Sequence, residues 1–202
     1  MTCQTNNYYT LKNVVQLGSR VTSLPNYMFY YCGISSIDFL STYAGSATTL
    51  PQYCFSYCKN LTSMSSLPTR FKSLGDYCFS NSGLSGTVDL RSTGLTGLTS
   101  TSIFSGCQAS RTYKFPATLS ASWFGSSTFY YNRNLTAVDL PSTLTSIASS
   151  IFSNCNYLVS VSIPSGVKVI EYSAFNRCSR LSSVQCNTSA LTGIYGYAFV
   201  GC

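Results

Sequence analysis

The amino-acid sequence predicts a solenoid of the β-rich α/β class, with about eight short repeats, brief parallel strands on one side and short helical turns on the other. Three observations predict it. Phenylalanine recurs at Phe29, Phe55, Phe79, Phe104, Phe129, Phe152, Phe175 and Phe199, at separations of 26, 24, 25, 25, 23, 23 and 24 residues. A cysteine stands three residues after it in six of the eight units, at Cys32, Cys58, Cys107, Cys155, Cys178 and Cys202. Within a unit the apolar period switches from that of a helix to that of a strand. The chain therefore reads as one repeat domain over residues 1–202, with a half-repeat at 8–20, repeats up to 194 and a second half-repeat at 194–202.

The elements of one unit are clearest between Leu144 and Pro164. From Ile147 the apolar residues Ile151, Phe152, Cys155 and Leu158 lie at offsets of 4, 5, 8 and 11, a spacing that gathers side chains on one face of a short helical segment. Beyond Leu158 the chain alternates, with Val161 and Ile163 apolar and Ser162 polar, which predicts a very short strand. Pro164 ends that strand because it has no N–H for the ladder, and Pro116 and Pro141 hold the matching places in earlier units. Ile170, Ala174, Phe175, Cys178, Leu181, Val184 and Cys186 repeat the scheme. One unit cannot bury its own apolar face, but stacking at about 4.8 Å per strand gives a continuous core roughly 34 Å long. The third and fourth units are irregular. Ser82 replaces the cysteine, and Gly83, Gly86, Gly94 and Gly97 crowd the segment around Val88 to Leu98, which predicts a bend or altered winding there.

Composition narrows the function. The chain is 45% hydrophobic and 14% aromatic, a folded composition, yet only 8% charged. It has no histidine, which removes the usual general base. The net charge of +7 comes from basic residues scattered one or two at a time, without the clustering of a nucleic-acid reader. No run approaches the roughly 20 apolar residues of a membrane span. The first residues show neither the basic nor the apolar region of a signal peptide.

Two stretches carry a family resemblance. Leu74-Gly75-Asp76-Tyr77-Cys78-Phe79 matches the first half, and Phe152-x-x-Cys155-x-x-Leu158-x-x-Val161-x-Ile163-Pro164 the second half, of the repeat Ile-Gly-x-x-Ala-Phe-x-x-Cys-x-x-Leu-x-x-Val-x-Ile-Pro. The chain resembles the BspA-like leucine-rich repeats over about residues 14 to 202. The resemblance implies a leucine-rich repeat solenoid and a secreted or cell-surface binding module similar to adhesins; with no nucleophile, base or metal constellation in the sequence, neither catalysis nor a cofactor is expected, and the ligand is expected to be a protein or glycan. The longer, glycine-rich middle units and the absence of a visible signal peptide depart from the family pattern.

The residues that invite chemistry mostly have a structural reading. The repeat cysteines form one column, with Cys54 and Cys78 in a second just before their phenylalanines, and both columns read as buried free thiols acting as small apolar residues. Cys3, Cys186 and Cys202 are left as those that pair or make an interface contact. Zinc is not expected without histidine or a C-x-x-C pair. The carboxylates Asp38, Asp76, Asp89, Asp139 and Glu171 form no evident catalytic pair, since Lys114 falls between Asp89 and Asp139 in one column and makes a ladder of alternating charge. The outward strand positions Asp38, Asp89, Lys114, Asp139, Ser162 and Gln185 are one candidate ligand face. The tyrosines Tyr30, Tyr31, Tyr57, Tyr130 and Tyr131, one or two residues after the repeat phenylalanine, are the competing one.

Three glycosylation sequons, Asn60-Leu-Thr62, Asn134-Leu-Thr136 and Asn187-Thr-Ser189, read better as turn asparagines. The two ends look uncapped and complementary. Leu11, Val14 and Leu17 resemble the strand half of a repeat, and Tyr197, Phe199 and Cys202 belong to its phenylalanine half. Three explanations stand side by side: a piece of a longer surface protein, a subunit that polymerises head to tail into an extracellular filament or virion appendage, or ends that fray.

Overall fold

The computed structural model describes residues 11–116, 119–120, 123–187 and 189–202. Its strands are β1 (Thr49–Leu50), β2 (Ser73–Leu74), β3 (Ser85–Asp89), β4 (Ala109–Lys114), β5 (Ser146–Ile147), β6 (Ser160–Ser162), β7 (Val169–Ile170), β8 (Ser183–Gln185) and β9 (Gly193–Ile194). All pairing is parallel, in the orders β1-β2, β3-β4, β5-β7-β9 and β6-β8. These are two lines of strands. β3, β4, β6 and β8 are the predicted line that follows the repeat phenylalanine. β1, β2, β5, β7 and β9 form a second line, in which Leu50, Leu74, Ile147, Ile170 and Ile194 sit five residues before it.

The predicted helical turns are not there. Among the described residues the one helix is a 3₁₀ helix at Asp38–Thr42, and each phenylalanine rides on tight turns. The reason is a left-handed residue two positions before and two after it. Tyr27 and Tyr31 flank Phe29 in this way, Tyr53 and Tyr57 flank Phe55, Tyr77 and Asn81 flank Phe79, and the scheme runs on to Tyr197 and Gly201 around Phe199. A helix needs consecutive right-handed residues, so it cannot pass these points. The turns still bring Ile151, Phe152 and Cys155 to one side, which is why the spacing imitates a helix.

What holds the strained turns is a hydrogen-bond ladder between units. At each of the seven steps the N–H groups of the phenylalanine and of its two left-handed neighbours donate to carbonyls of the next unit, at 2.7–3.1 Å. Two left-handed residues cost about 2–4 kcal/mol per unit. Three hydrogen bonds contribute about 0.5–1.5 kcal/mol each, a total of the same size.

The core is the column of repeat phenylalanines, whose rings stack from Phe29 to Phe199 at centroid distances of 5.2–6.0 Å. The two widest steps, 5.9 and 6.0 Å, flank Phe104. There Tyr113 takes the inward strand position that Val161 and Val184 hold elsewhere, its ring centroid 4.6 Å from that of Phe129. The altered winding predicted for the middle takes the form of a register shift between Gly86 and Thr87 in β3. Gly94 serves close approach: a Cβ there would lie 1.8 Å from the Thr69 carbonyl oxygen.

Candidate functional site

The left-handed turns decide what the turn face shows to solvent. Tyr27, Tyr53 and Tyr77 lie one above another at the position two before the phenylalanine, with ring centroids 4.7 Å apart at both steps. Tyr31 and Tyr57, two after it, stack at 4.3 Å. Tyr30 meets Tyr27, Tyr31, Tyr53 and Tyr57 edge-on. Cations cover the outer rings: Lys59 lies 5.4 Å from the Tyr57 centroid and the Arg133 guanidinium 4.3 Å from that of Tyr131.

Beyond Tyr77 the same positions turn to serine, and the wall becomes a floor. A trough of about 490 Å³ runs from Tyr30, Tyr53, Tyr57 and Tyr77 over Ser80, Ser102, Ser105 and Ser127 to Tyr130 and Ser150. A second hollow of about 300 Å³ continues it past Asn81, Ser105 and Gly106 to Tyr130 and Tyr131. Among the described residues no charged side chain lines either hollow. The floor is fixed from below. Ser56 Oγ donates to the Ser80 carbonyl at 3.0 Å, Ser80 and Ser105 hydroxyls lie 3.0 Å apart, and Asn81 Nδ2 donates to Ser80 Oγ at 2.9 Å.

Tyr30, Tyr57 and Tyr130 of the sequence-predicted rim are thus brought together, while Tyr31 and Tyr131 form its outer edge. Tyr53 and Tyr77 were missed. Their signal is the spacing of two residues before the phenylalanine, the same register as Tyr27 and Tyr197.

The predicted strand face is less continuous. Lys114, Ser162 and Gln185 are exposed on β4, β6 and β8, and Asp89 ends β3. Asp38 opens the 3₁₀ helix and Asp139 lies outside any strand, which corrects their strand assignment. Lys114 pairs Asp89 in register, but the Asp89 carboxylate turns to its own neighbour Arg91, at 2.6 Å. Hydrogen bonds from Arg91 hold that carboxyl down at about 2. A hollow of about 500 Å³ adjoins this face, lined by Arg91, Lys114, Phe115, Leu119 and Asp139 among others.

The cysteine column has a function that its apolar reading overlooked. The thiols of Cys58, Cys107, Cys155, Cys178 and Cys202 each donate to the carbonyl of the phenylalanine one unit back, at 3.0–3.2 Å. Burial pushes Cys58 and Cys178 up to about 12 and Cys107 to about 11. Cys32 departs from the expectation of free thiols: it is disulfide-bonded. Cys186 and Cys202 are free, and Cys3 lies outside the described residues.

Asn60 Nδ2 donates to the Gly33 carbonyl and Asn134 Nδ2 to that of Gln108, so both asparagines tie one unit to the previous one. The third sequon includes Thr188, outside the described residues. Among the described residues no group of three His, Cys, Asp or Glu gathers as metal ligands, and no helix is long and apolar enough to cross a membrane.

At the ends, Leu17 is buried and Leu11 and Val14 are half-buried against the core. At the other, Phe199 stacks on Phe175 at 5.2 Å, while Tyr197 and Cys202 are exposed beside Ile194, Tyr195 and Val200.

Stacked units with parallel strands, a phenylalanine spine and thiol-to-carbonyl bonds define a leucine-rich repeat solenoid. More narrowly, the chain belongs to the family described as the BspA type leucine rich repeat region, whose model matches residues 6–108 and 98–202 in six copies. The repeat count is therefore about six, not the eight predicted from phenylalanine alone. The ring column persists where the rest of the pattern lapses, as at Ser82 and Asn132 in the cysteine position.

No curated protein matches the chain in sequence. Among solved structures it is similar to a leucine-rich repeat protein from Bacteroides ovatus, 21% identical with a TM-score of 0.53 over 96% of this chain and 65% of that one. A leucine-rich repeat protein from Eubacterium ventriosum is 23% identical, with a TM-score of 0.65 over 88% of this chain and 55% of that one. A leucine rich cell surface protein from Faecalibacterium prausnitzii is 18% identical, with a TM-score of 0.50 over 87% of this chain and 57% of that one. The chain spans less than two thirds of the length of each, and the likeness is one of fold.

Proposed function

We propose that this chain is a non-enzymatic binding module acting at a cell surface or outside the cell, and that it engages its ligand through the turn face of the solenoid. The observation that carries the reading is the tyrosine and serine trough. It is an uncharged, aromatic-walled surface built by successive units, on a chain with net charge +7. Tyrosine supplies contact area at small entropic cost, and a rigid repeat scaffold holds the rings in place before the ligand arrives. The printed description of the Faecalibacterium protein as a cell surface protein supports the location. The strand face from Asp89 to Gln185 is the rival surface within the same reading.

The test is adhesion of beads coated with the purified chain to epithelial monolayers. Tyr57→Ser with Tyr130→Ser should bring attachment to background, while Lys114→Ser with Gln185→Ala leaves it unchanged. The reverse pattern moves the function to the strand face, and beads that never attach end the adhesion reading.

A second reading keeps end-to-end assembly into a filament. It is supported by the exposed apolar cluster of Ile194, Tyr195, Tyr197 and Val200, each more than half exposed. Light scattering over a concentration series decides it: growth abolished by Tyr197→Asp supports assembly, and a monomer at every concentration ends it.

A further inference from the structure

We infer that the trough takes an extended, neutral glycan chain. The inference rests on the turn face being the binding surface, and it adds the ligand class.

The backbone narrows the choice first. One way for an extended peptide to dock is to add a strand, which needs an open row of N–H and C=O groups. On the turn face those groups are spent between units: at Tyr53, Phe55 and Tyr57 the N–H groups donate to Asp76, Cys78 and Ser80, and the same holds at each later step up to Arg177. Only side chains remain to be read. They are of two kinds, hydroxyls or amides from the half-buried Asn81, Ser127 and Ser150, with Ser102 and Ser105 buried in the floor, and ring surfaces from tyrosines.

A sugar chain presents the matching pair. Its hydroxyls exchange hydrogen bonds with serine and asparagine, and the C–H faces of its rings lie against aromatic rings. Acidic glycans fit less well, since the nearest cations are already used. Lys59 lies over Tyr57 and Arg133 over Tyr131, outside the serine floor.

The distribution of tyrosine and serine then shows where the sugar lies. The stack Tyr27, Tyr53, Tyr77 stops where Ser102 takes over the same left-handed position, with φ of 55° against 56° at Tyr77. The opening is made by that change of side chain and not by a change of backbone. Gly106 widens it in the neighbouring column, where Tyr131 and Tyr57 stand on other units.

That gives a blocking variant at a backbone position where Tyr27, Tyr53 and Tyr77 stand in other units. Ser102→Tyr continues the stack by one ring and occupies the floor. The measurement is saturation-transfer NMR with titration of the whole chain. The probes are hexasaccharides of β-1,4-glucose, β-1,3-glucose, α-1,4-glucose, β-1,4-mannose and β-1,4-N-acetylglucosamine, with neutral glycans released from mucin. At least one probe should bind, and Ser102→Tyr and Tyr130→Ala should each weaken it tenfold or more while unfolding at the wild-type temperature. Lys114→Ser should leave it unchanged. Binding of none of these probes overturns the inference, as does binding that survives Ser102→Tyr or that appears only with heparin or hyaluronan. If beads still attach through the tyrosines while no glycan binds, the turn face stands and its ligand is a protein.

Discussion

A single buried side chain shows how this solenoid tolerates departures from its own pattern. Tyr113 replaces the small inward residue of its strand, and its hydroxyl must find a partner away from water. It donates to Ser110 Oγ at 3.2 Å and accepts from Asn132 Nδ2 at 3.0 Å. Asn132 stands where other units carry cysteine, so the two exceptions explain each other. Its Oδ1 has no hydrogen-bond partner among the described residues. Tyr113→Phe strands the amide and should cost about 1–3 kcal/mol in urea unfolding. Tyr113→Phe with Asn132→Cys removes both polar partners and should recover most of that loss. A double variant no better than the single one would show that the two residues do not act as a pair.

The cysteines are readable on the same scale. A thiol is small and apolar enough for the core yet can donate a hydrogen bond, which alanine cannot. Iodoacetamide should label Cys186 and Cys202 in the native protein and leave Cys54, Cys58, Cys78, Cys107, Cys155 and Cys178 unlabelled, read by mass spectrometry. Native labelling of the repeat column would mean that the core opens readily. The pH response follows from the raised values. Cys58, Cys107 and Cys178 stay protonated in the fold up to about 12, 11 and 12, whereas the unfolded thiols ionise near 9. Their contribution to stability is whole below pH 9 and falls as pH rises from 9 to 12, by up to about 1.4 kcal/mol per pH unit for each thiol. Denaturant titrations across that range should show the decline.

Among the elements, the ring column was legible because a fixed residue survives any change of turn, and period two located β3, β4, β6 and β8 but wrongly gave Asp38 and Asp139 to strands. The turn segments were misread as helical. Ile147, Ile151, Phe152 and Cys155 have helical spacing, but apolar spacing records only which side a residue faces. Left-handed backbone at Tyr, Ser, Asn and Arg leaves no trace in a hydrophobic pattern, and only Gly106 and Gly201 among the sixteen flanking positions hint at it. The second line of strands was hidden for a related reason: two-residue strands such as Val169–Ile170 are too short to alternate. Gly94 was read as a cause of irregular winding, whereas it marks contact between units. Gly94→Ala drives its methyl into the Thr69 carbonyl and should lower stability by about 3 kcal/mol or more. A calorimetric midpoint within a degree of wild type would show that the neighbouring unit yields freely.

For the whole molecule, repetition turns one local choice into a surface. Because each unit lies directly over the last, a residue type at one position becomes a column: phenylalanine a spine, cysteine a row of donors, tyrosine a wall and serine a floor. The sequence showed Tyr30, Tyr57 and Tyr130 as a rim. It did not show the trough, which depends on Ser102 and Ser127 taking the left-handed position that Tyr53 and Tyr77 occupy. The proposed function depends on that geometry. Hydroxyl-radical and lysine footprinting of the chain, free and attached to an epithelial surface, tests it directly. The account predicts protection of Tyr53, Tyr57, Tyr77 and Tyr130 on attachment, with Lys114, Tyr195 and Tyr197 unchanged. Protection centred on Lys114, or on Tyr195 and Tyr197, with the trough still reactive, would contradict it.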